Sequence, residues 1–137
     1  MRLSIVLLLL AVALAGCGGG SGTSSNGELV RYERRGGVPH SDVVVTVHDD
    51  GRGVRTTSGP GLRRGPFTLT PDQLARLRQA LREADLPHLR SSAAPVPANG
   101  YEYTLTAGGR TVRFPQGRLP RALVPVVALL DVRAYAA

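Results

Sequence analysis

The sequence predicts an α+β domain: a small antiparallel sheet with two helices packed on one face, in the order β-β-(β)-α-β-β-α. Three observations carry that expectation. Val43, Val45 and Val47 alternate with Val44, Thr46 and His48 in a β-branched run. Leu74, Leu77, Leu81 and Ala84 recur at helical spacing behind a capping motif. Gly108-Gly109 then divides two alternating segments as a hairpin turn does.

The first strand is expected at Leu29 to Arg34, where Val30 and Tyr32 share one side and Arg31 and Glu33 the other. Arg35-Gly36-Gly37-Val38-Pro39 breaks that pattern. The second strand, Asp42 to His48, is followed by Asp49-Asp50-Gly51, an Asp-Gly turn signal leading to a weaker return strand at about Gly53 to Thr57. Ser58-Gly59-Pro60-Gly61 reads as a loop, and a short extended piece is expected within Leu62 to Leu69. Thr70-Pro71-Asp72-Gln73 is a helix start: a capping hydroxyl, a proline whose missing N–H costs nothing there, an acid at the positive end of the dipole, and a glutamine closing the capping box. Arg76, Gln79, Arg82 and Glu83 face outward, and Pro87 marks the stop. Ser91 to Ala98 is an irregular crossing. Tyr101, Tyr103 and Leu105 then pair across the turn with Val112 and Phe114. Arg121 to Leu130 is apolar enough for a closing helix with Pro120 near its start; Pro125 inside it either kinks the helix or delays its start.

Ahead of this domain, Met1-Arg2 precedes the apolar run Leu3 to Leu14, which ends in small residues before Cys17, the only cysteine among 137 residues. A basic start, a short apolar stretch and a small-residue end make a secretory signal, and about 12 apolar residues fall short of the ~20 that span a bilayer. Leu14-Ala15-Gly16-Cys17 resembles a bacterial lipobox. That resemblance implies cleavage between Gly16 and Cys17 and a covalent diacylglycerol or acyl lipid on the Cys17 thiol. It places the chain on the extracytoplasmic face of the cell membrane. The alternative is an ordinary signal peptide with an incidental cysteine. The expected organisation is therefore a signal peptide at 1–16, a lipidated cysteine and Gly/Ser tether at 17–27, and a single domain at 28–137. With its one thiol carrying lipid, the domain has no disulfide and depends on packing.

All 17 basic residues are arginine, and the net charge of +7 falls to +6 once Arg2 leaves with the signal. Outside the cytoplasm such a balance favours anionic lipid headgroups or cell-wall polymers over nucleic acid, and a plainly solvated arginine surface fits it as well. No metal, no cofactor beyond the lipid and no catalytic site are expected. His40-Ser41-Asp42 sets triad residue types side by side, but triads are assembled in space. His48-Asp49-Asp50 lacks the further oxygens of a calcium loop, and no glycine-rich phosphate loop precedes a helix. Arg63-Arg64-Gly65 could grip a carboxylate or phosphate or simply be solvated.

The domain also resembles the family of the protealysin inhibitor emfourin. The resemblance rests on the order of several motifs: the opening strand into Arg35-Gly36-Gly37-Val38, the Leu-Thr-Pro-Asp-Gln-Leu helix start from Leu69, Asn99-Gly100-Tyr101-Glu102-Tyr103-Thr104-Leu105, Gly109-Arg110-Thr111-Val112, and Leu119-Pro120-Arg121-Ala122-Leu123. It covers about Leu29 to Leu130. It implies inhibition of thermolysin-like zinc proteases, with a secreted or envelope metalloprotease, or another envelope protein, as the partner. An inhibitory loop must be held rigid, since ordering it on binding costs affinity. Arg35, Gly36, Gly37, Val38, Pro39 and His40, between two strands and stiffened by proline, are the expected contact loop; Gly36 and Gly37 would equally serve a tight turn with positive φ. The alternative function is an envelope module that binds anionic lipid or cell-wall polymer without inhibiting anything.

Overall fold

The computed structural model describes residues 27–135; the apolar run, Gly16, Cys17 and the Gly/Ser stretch through Asn26 lie outside the described residues. The α+β expectation holds. Six antiparallel strands form one sheet: β1 (Glu28–Gly36), β2 (Val43–His48), β3 (Arg52–Thr57), β4 (Arg64–Thr68), β5 (Tyr101–Ala107) and β6 (Arg110–Pro115). Their spatial order is β4-β3-β2-β1-β5-β6. The first four strands run as a meander of hairpins, and the chain then returns through helix α1 (Pro71–Ala84) to lay β5 on the other side of β1. Helix α2 (Val124–Tyr135) closes the domain. Apart from Leu69, which lies between β4 and α1, the described core comes from these elements and the 3-10 turns at Leu86–His88 and Arg121–Leu123.

The registers explain why β1 lies inside the sheet. Tyr32 pairs with Val45 on one side and Leu105 on the other, so these side chains share a face. On that face Val30, Tyr32, Val43, Val45, Val47, Leu105, Val112 and Phe114 are all buried, against Leu77 of α1 and Val126 and Leu130 of α2. The period-two alternation of β1 and β2 is thus one apolar layer under two helices. The opposite face, with Arg31, Glu33, Thr104, Thr111 and Arg113, stays open.

Several local features sharpen the sequence expectation. Leu62 to Leu69 contains a true edge strand, because Arg64–Thr68 pairs with β3 from Arg52 to Thr56. The Phe67 ring packs where Gly53 has no side chain, since a Cβ on Gly53 would lie 2.3 Å from its Cζ. β1 extends through Arg35 and Gly36, which pair with Glu102 and Tyr101, so the loop proper begins at Gly37. α1 ends at Ala84, before Pro87, because Asp85 adopts a left-handed φ of 49°. Pro125 delays α2: a single 3-10 turn at Arg121–Leu123 precedes the helix, leaving the proline in its first turn where no intrahelical donor is lost. The Thr70–Gln73 capping box forms as expected, with the Gln73 N–H donating to Thr70 Oγ1 and the Thr70 N–H to Gln73 Oε1.

A partly buried polar tie joins β1 to the last helix. The Tyr32 hydroxyl, on a ring with no exposure, donates to Asp131 Oδ1 of α2 at 2.8 Å. Arg34, two residues along the same face, reaches both Asp131 oxygens at 3.2 Å and also donates to the Tyr135 hydroxyl. Burial, followed by the charge of Asp131 and the hydrogen bond to it, pushes the Tyr32 phenol far above its ordinary 10.0. The folded chain therefore keeps a proton that the unfolded chain releases above pH 10. The resulting stability is complete below that value and declines as pH rises through it. Tyr103 is shifted the same way, also chiefly by burial. Tyr32→Phe should cost about 1.5–3 kcal/mol at neutral pH, the loss expected for a hydrogen bond to a charged group. Urea unfolding across pH 8 to 11 should show a shallower alkaline decline in the variant than in the natural chain, with Tyr103 supplying what remains.

Candidate functional site: a tip of two pinned loops

In an antiparallel meander the first and third connections emerge at the same end. The β1–β2 loop, residues 37–42, and the β3–β4 loop, residues 58–63, therefore lie side by side. Two hydrogen bonds join them: the Ser58 N–H donates to the Asp42 carbonyl at 2.8 Å, and the Asp42 N–H to the Ser58 side-chain Oγ at 3.0 Å. Gly59 is packed so closely that a Cβ there would stand 2.5 Å from the His40 carbonyl oxygen.

Each loop is also fixed internally. Ser41 N–H donates to the Gly36 carbonyl and Gly37 N–H to the Gly100 carbonyl, both at 3.0 Å. Gly36 and Gly37 have φ of 109° and 82°. A Cβ on Gly36 would meet Gly100 O at 2.4 Å, and one on Gly37 would meet the Tyr101 ring at 2.4 Å. Both glycines thus serve a positive φ and a close approach to Asn99-Gly100-Tyr101. The Val38–Pro39 peptide is cis. In the second loop Thr57, a buried polar residue, acts as the clasp: its Oγ1 accepts from the Arg63 N–H at 2.8 Å, and its N–H donates to the Arg63 carbonyl at 2.7 Å.

On this frame two apolar side chains stand clear of the protein, Val38 at the tip of the first loop and Leu62 in the second, each 70% exposed. Arginines flank them along the chain, Arg35 before Val38 and Arg63 and Arg64 after Leu62. Arg35, on the open face of β1, is held by Glu33, which it shares with Arg31 at 2.8 Å on each side. Burial works to raise the Glu33 carboxyl, but the two guanidiniums outweigh it and hold the carboxyl below its ordinary range. Arg63 and Arg64 are exposed.

Of the sequence-predicted loop, Arg35 and Gly36 belong to the strand, Gly37 to His40 form the turn, and Arg35, Val38, Pro39 and His40 are exposed. His40 Nε2 faces Asp42 Oδ1 at 3.1 Å, and among the described residues no hydrogen bond joins it to the Ser41 hydroxyl. Asp50 is engaged by Arg52 at 2.6 Å, which takes it away from the His48-Asp49-Asp50 grouping. No three His, Cys, Asp or Glu side chains converge among the described residues. Cys17 and Gly16 lie outside those residues. The second loop was legible as a loop, but its place beside the first and the exposure of Leu62 escaped sequence reasoning; the available signal was the meander itself, since hairpins in succession return their alternate turns to one end.

The tightness at Gly37 is directly testable. Gly37→Ala should lower stability by about 1–3 kcal/mol, because it forces a Cβ into the Tyr101 ring at a positive φ. Thermal unfolding reads this, and an unchanged midpoint would mean that the loop tolerates rearrangement.

The sequence matches no known family model and no curated protein, so the reading of this tip rests on its own geometry and on the sequence motifs.

Proposed function

We propose that the chain is a membrane-anchored, non-catalytic lipoprotein whose domain inhibits a thermolysin-like metalloprotease of the envelope or its surroundings, using the two-loop tip. The observation that supports this reading most is Val38: an apolar side chain, fully presented, on a loop pinned at Gly36, Gly37 and Ser41. A cleft-binding loop of this kind loses little conformational entropy on docking, and an exposed aliphatic side chain supplies an apolar anchor for a pocket on the partner. Leu62 on the neighbouring loop widens the contact without adding flexibility.

The exposed pair Arg63 and Arg64 favours a second reading, in which the same tip grips an anionic cell-wall polymer. Salt separates the two, since exposed charges are screened beyond about 10 Å at 0.1 M and an apolar anchor is not.

Titration of purified residues 18–137 against a thermolysin-like protease should abolish cleavage of a peptide substrate at or below micromolar concentration. Val38→Asp should weaken that inhibition more than tenfold while leaving the unfolding midpoint in place. Full protease activity at micromolar natural chain overturns the inhibitor reading. The anchor is tested separately: Cys17→Ser should abolish incorporation of labelled palmitate and move the protein from the membrane to the soluble fraction.

A further inference from the structure

The end of the sheet opposite the tip carries a different surface. There α1 spans from the β2–β3 turn, where the Leu69 N–H donates to the Gly51 carbonyl, toward the β5–β6 turn. Between the end of α1, the 3-10 turn that follows it and the β5–β6 turn runs a groove of about 320 Å³. Leu29, Leu81, Leu86 and Pro87 contribute its apolar lining, and Arg78 and Arg82 its rim. Arg78 spends its hydrogen bond on the Asp49 backbone carbonyl, at 2.6 Å, which leaves its charge uncompensated. Neither Arg78 nor Arg82 has a carboxylate partner among the described residues. Three acids of this region have other partners: Glu83 accepts from Gln79, Asp85 faces His88, and Asp50 holds Arg52.

We infer that this groove is a docking surface for an anionic bilayer, seated on lipid headgroups through Arg78 and Arg82. The inference rests on the anchored-lipoprotein reading for its geometry. Two observations select this occupant. Leu29, in the groove lining, lies two residues from Gly27, where the N-terminal segment joins the domain, and the Gly27 carbonyl is fixed to the β2–β3 turn by the Asp49 N–H. Ten residues separate Cys17 from Glu28, and a Gly/Ser chain of that length has a root-mean-square reach of only about 17 Å. A nine-residue strand such as β1 is about 30 Å long. A lipid on Cys17 therefore holds the groove end against the membrane and leaves Val38 and Leu62 facing away from it. Charge complementarity then favours anionic headgroups at the two unpaired guanidiniums.

The test uses residues 17–137 with Cys17→Ser, which retain every described element of the domain but carry no lipid. Co-sedimentation with vesicles of equal parts phosphatidylglycerol and phosphatidylcholine at low salt should show binding that vanishes with pure phosphatidylcholine and collapses as salt rises. Arg78→Gln and Arg82→Gln should each weaken it about five-fold, the factor equivalent to roughly 1 kcal/mol per near-surface arginine. Arg63→Gln and Arg64→Gln at the tip should each weaken it by clearly less than either groove variant does. Absence of binding to the anionic vesicles overturns the proposal, as does an equal loss from the tip variants. Because this protein has no lipid, the result is independent of palmitate labelling: failure here with labelled Cys17 refutes the docking alone, and binding here with unlabelled Cys17 refutes the anchor alone.

Discussion

The contact of Tyr32 and Arg34 with Asp131 is the interaction from which the rest of the arrangement follows. β1 is the strand on which both halves of the sheet pair, and these two side chains fasten it to the last helix. Asp131 receives a phenol and a guanidinium at once, so each partner satisfies a charge that burial would otherwise make costly. Arg34 then carries the order outward. Its guanidinium lies 4.8 Å from the centroid of Tyr101 and 5.4 Å from that of Tyr135. Tyr101 in turn occupies the space beside Gly37. A continuous set of contacts thus runs from a fully buried tyrosine to the base of the exposed loop.

The same topology separates two surfaces. Strands that run the length of one sheet put the 37–42 and 58–63 loops at one end and the start of β1 at the other. The tip is pinned by hydrogen bonds and apolar at its points, with Arg63 and Arg64 exposed next to Leu62 in the chain. The opposite end is a groove beside the chain's point of attachment. In the proposed reading these are the outward and membrane-facing poles of one small domain, and the open face of the sheet, with its Arg31–Glu33–Arg35 charge ladder, lies between them.

Much of the fold was legible because its signals are local. The Val43–Val47 alternation, the Thr70–Gln73 capping box and the Gly108-Gly109 turn each specify a geometry within a few residues, and each forms as read. β4 was less legible, because Arg64-Gly65-Pro66 has little strand character of its own; it is a strand through pairing with β3 and through the Phe67 ring filling the space over Gly53. Pro125 was ambiguous for a related reason. A proline rules out a helix interior, but whether the helix bends or starts later depends on where Leu123 and Val126 find the core. At the candidate site, the glycines and Pro39 announced a constrained loop, whereas Leu62 carried no signal of its own.

By itself the sequence determined the element types, the apolar face of each, the cap of α1 and the position of the one thiol, because periodicity, capping and composition act over short separations along the chain. Tertiary structure alone decided that β5 returns beside β1, that Tyr32 and Arg34 meet Asp131 almost a hundred residues away, and that two loops distant in sequence lock together at Ser58 and Asp42. Those outcomes depend on which buried faces fit one another across the sheet, and no local pattern encodes that choice.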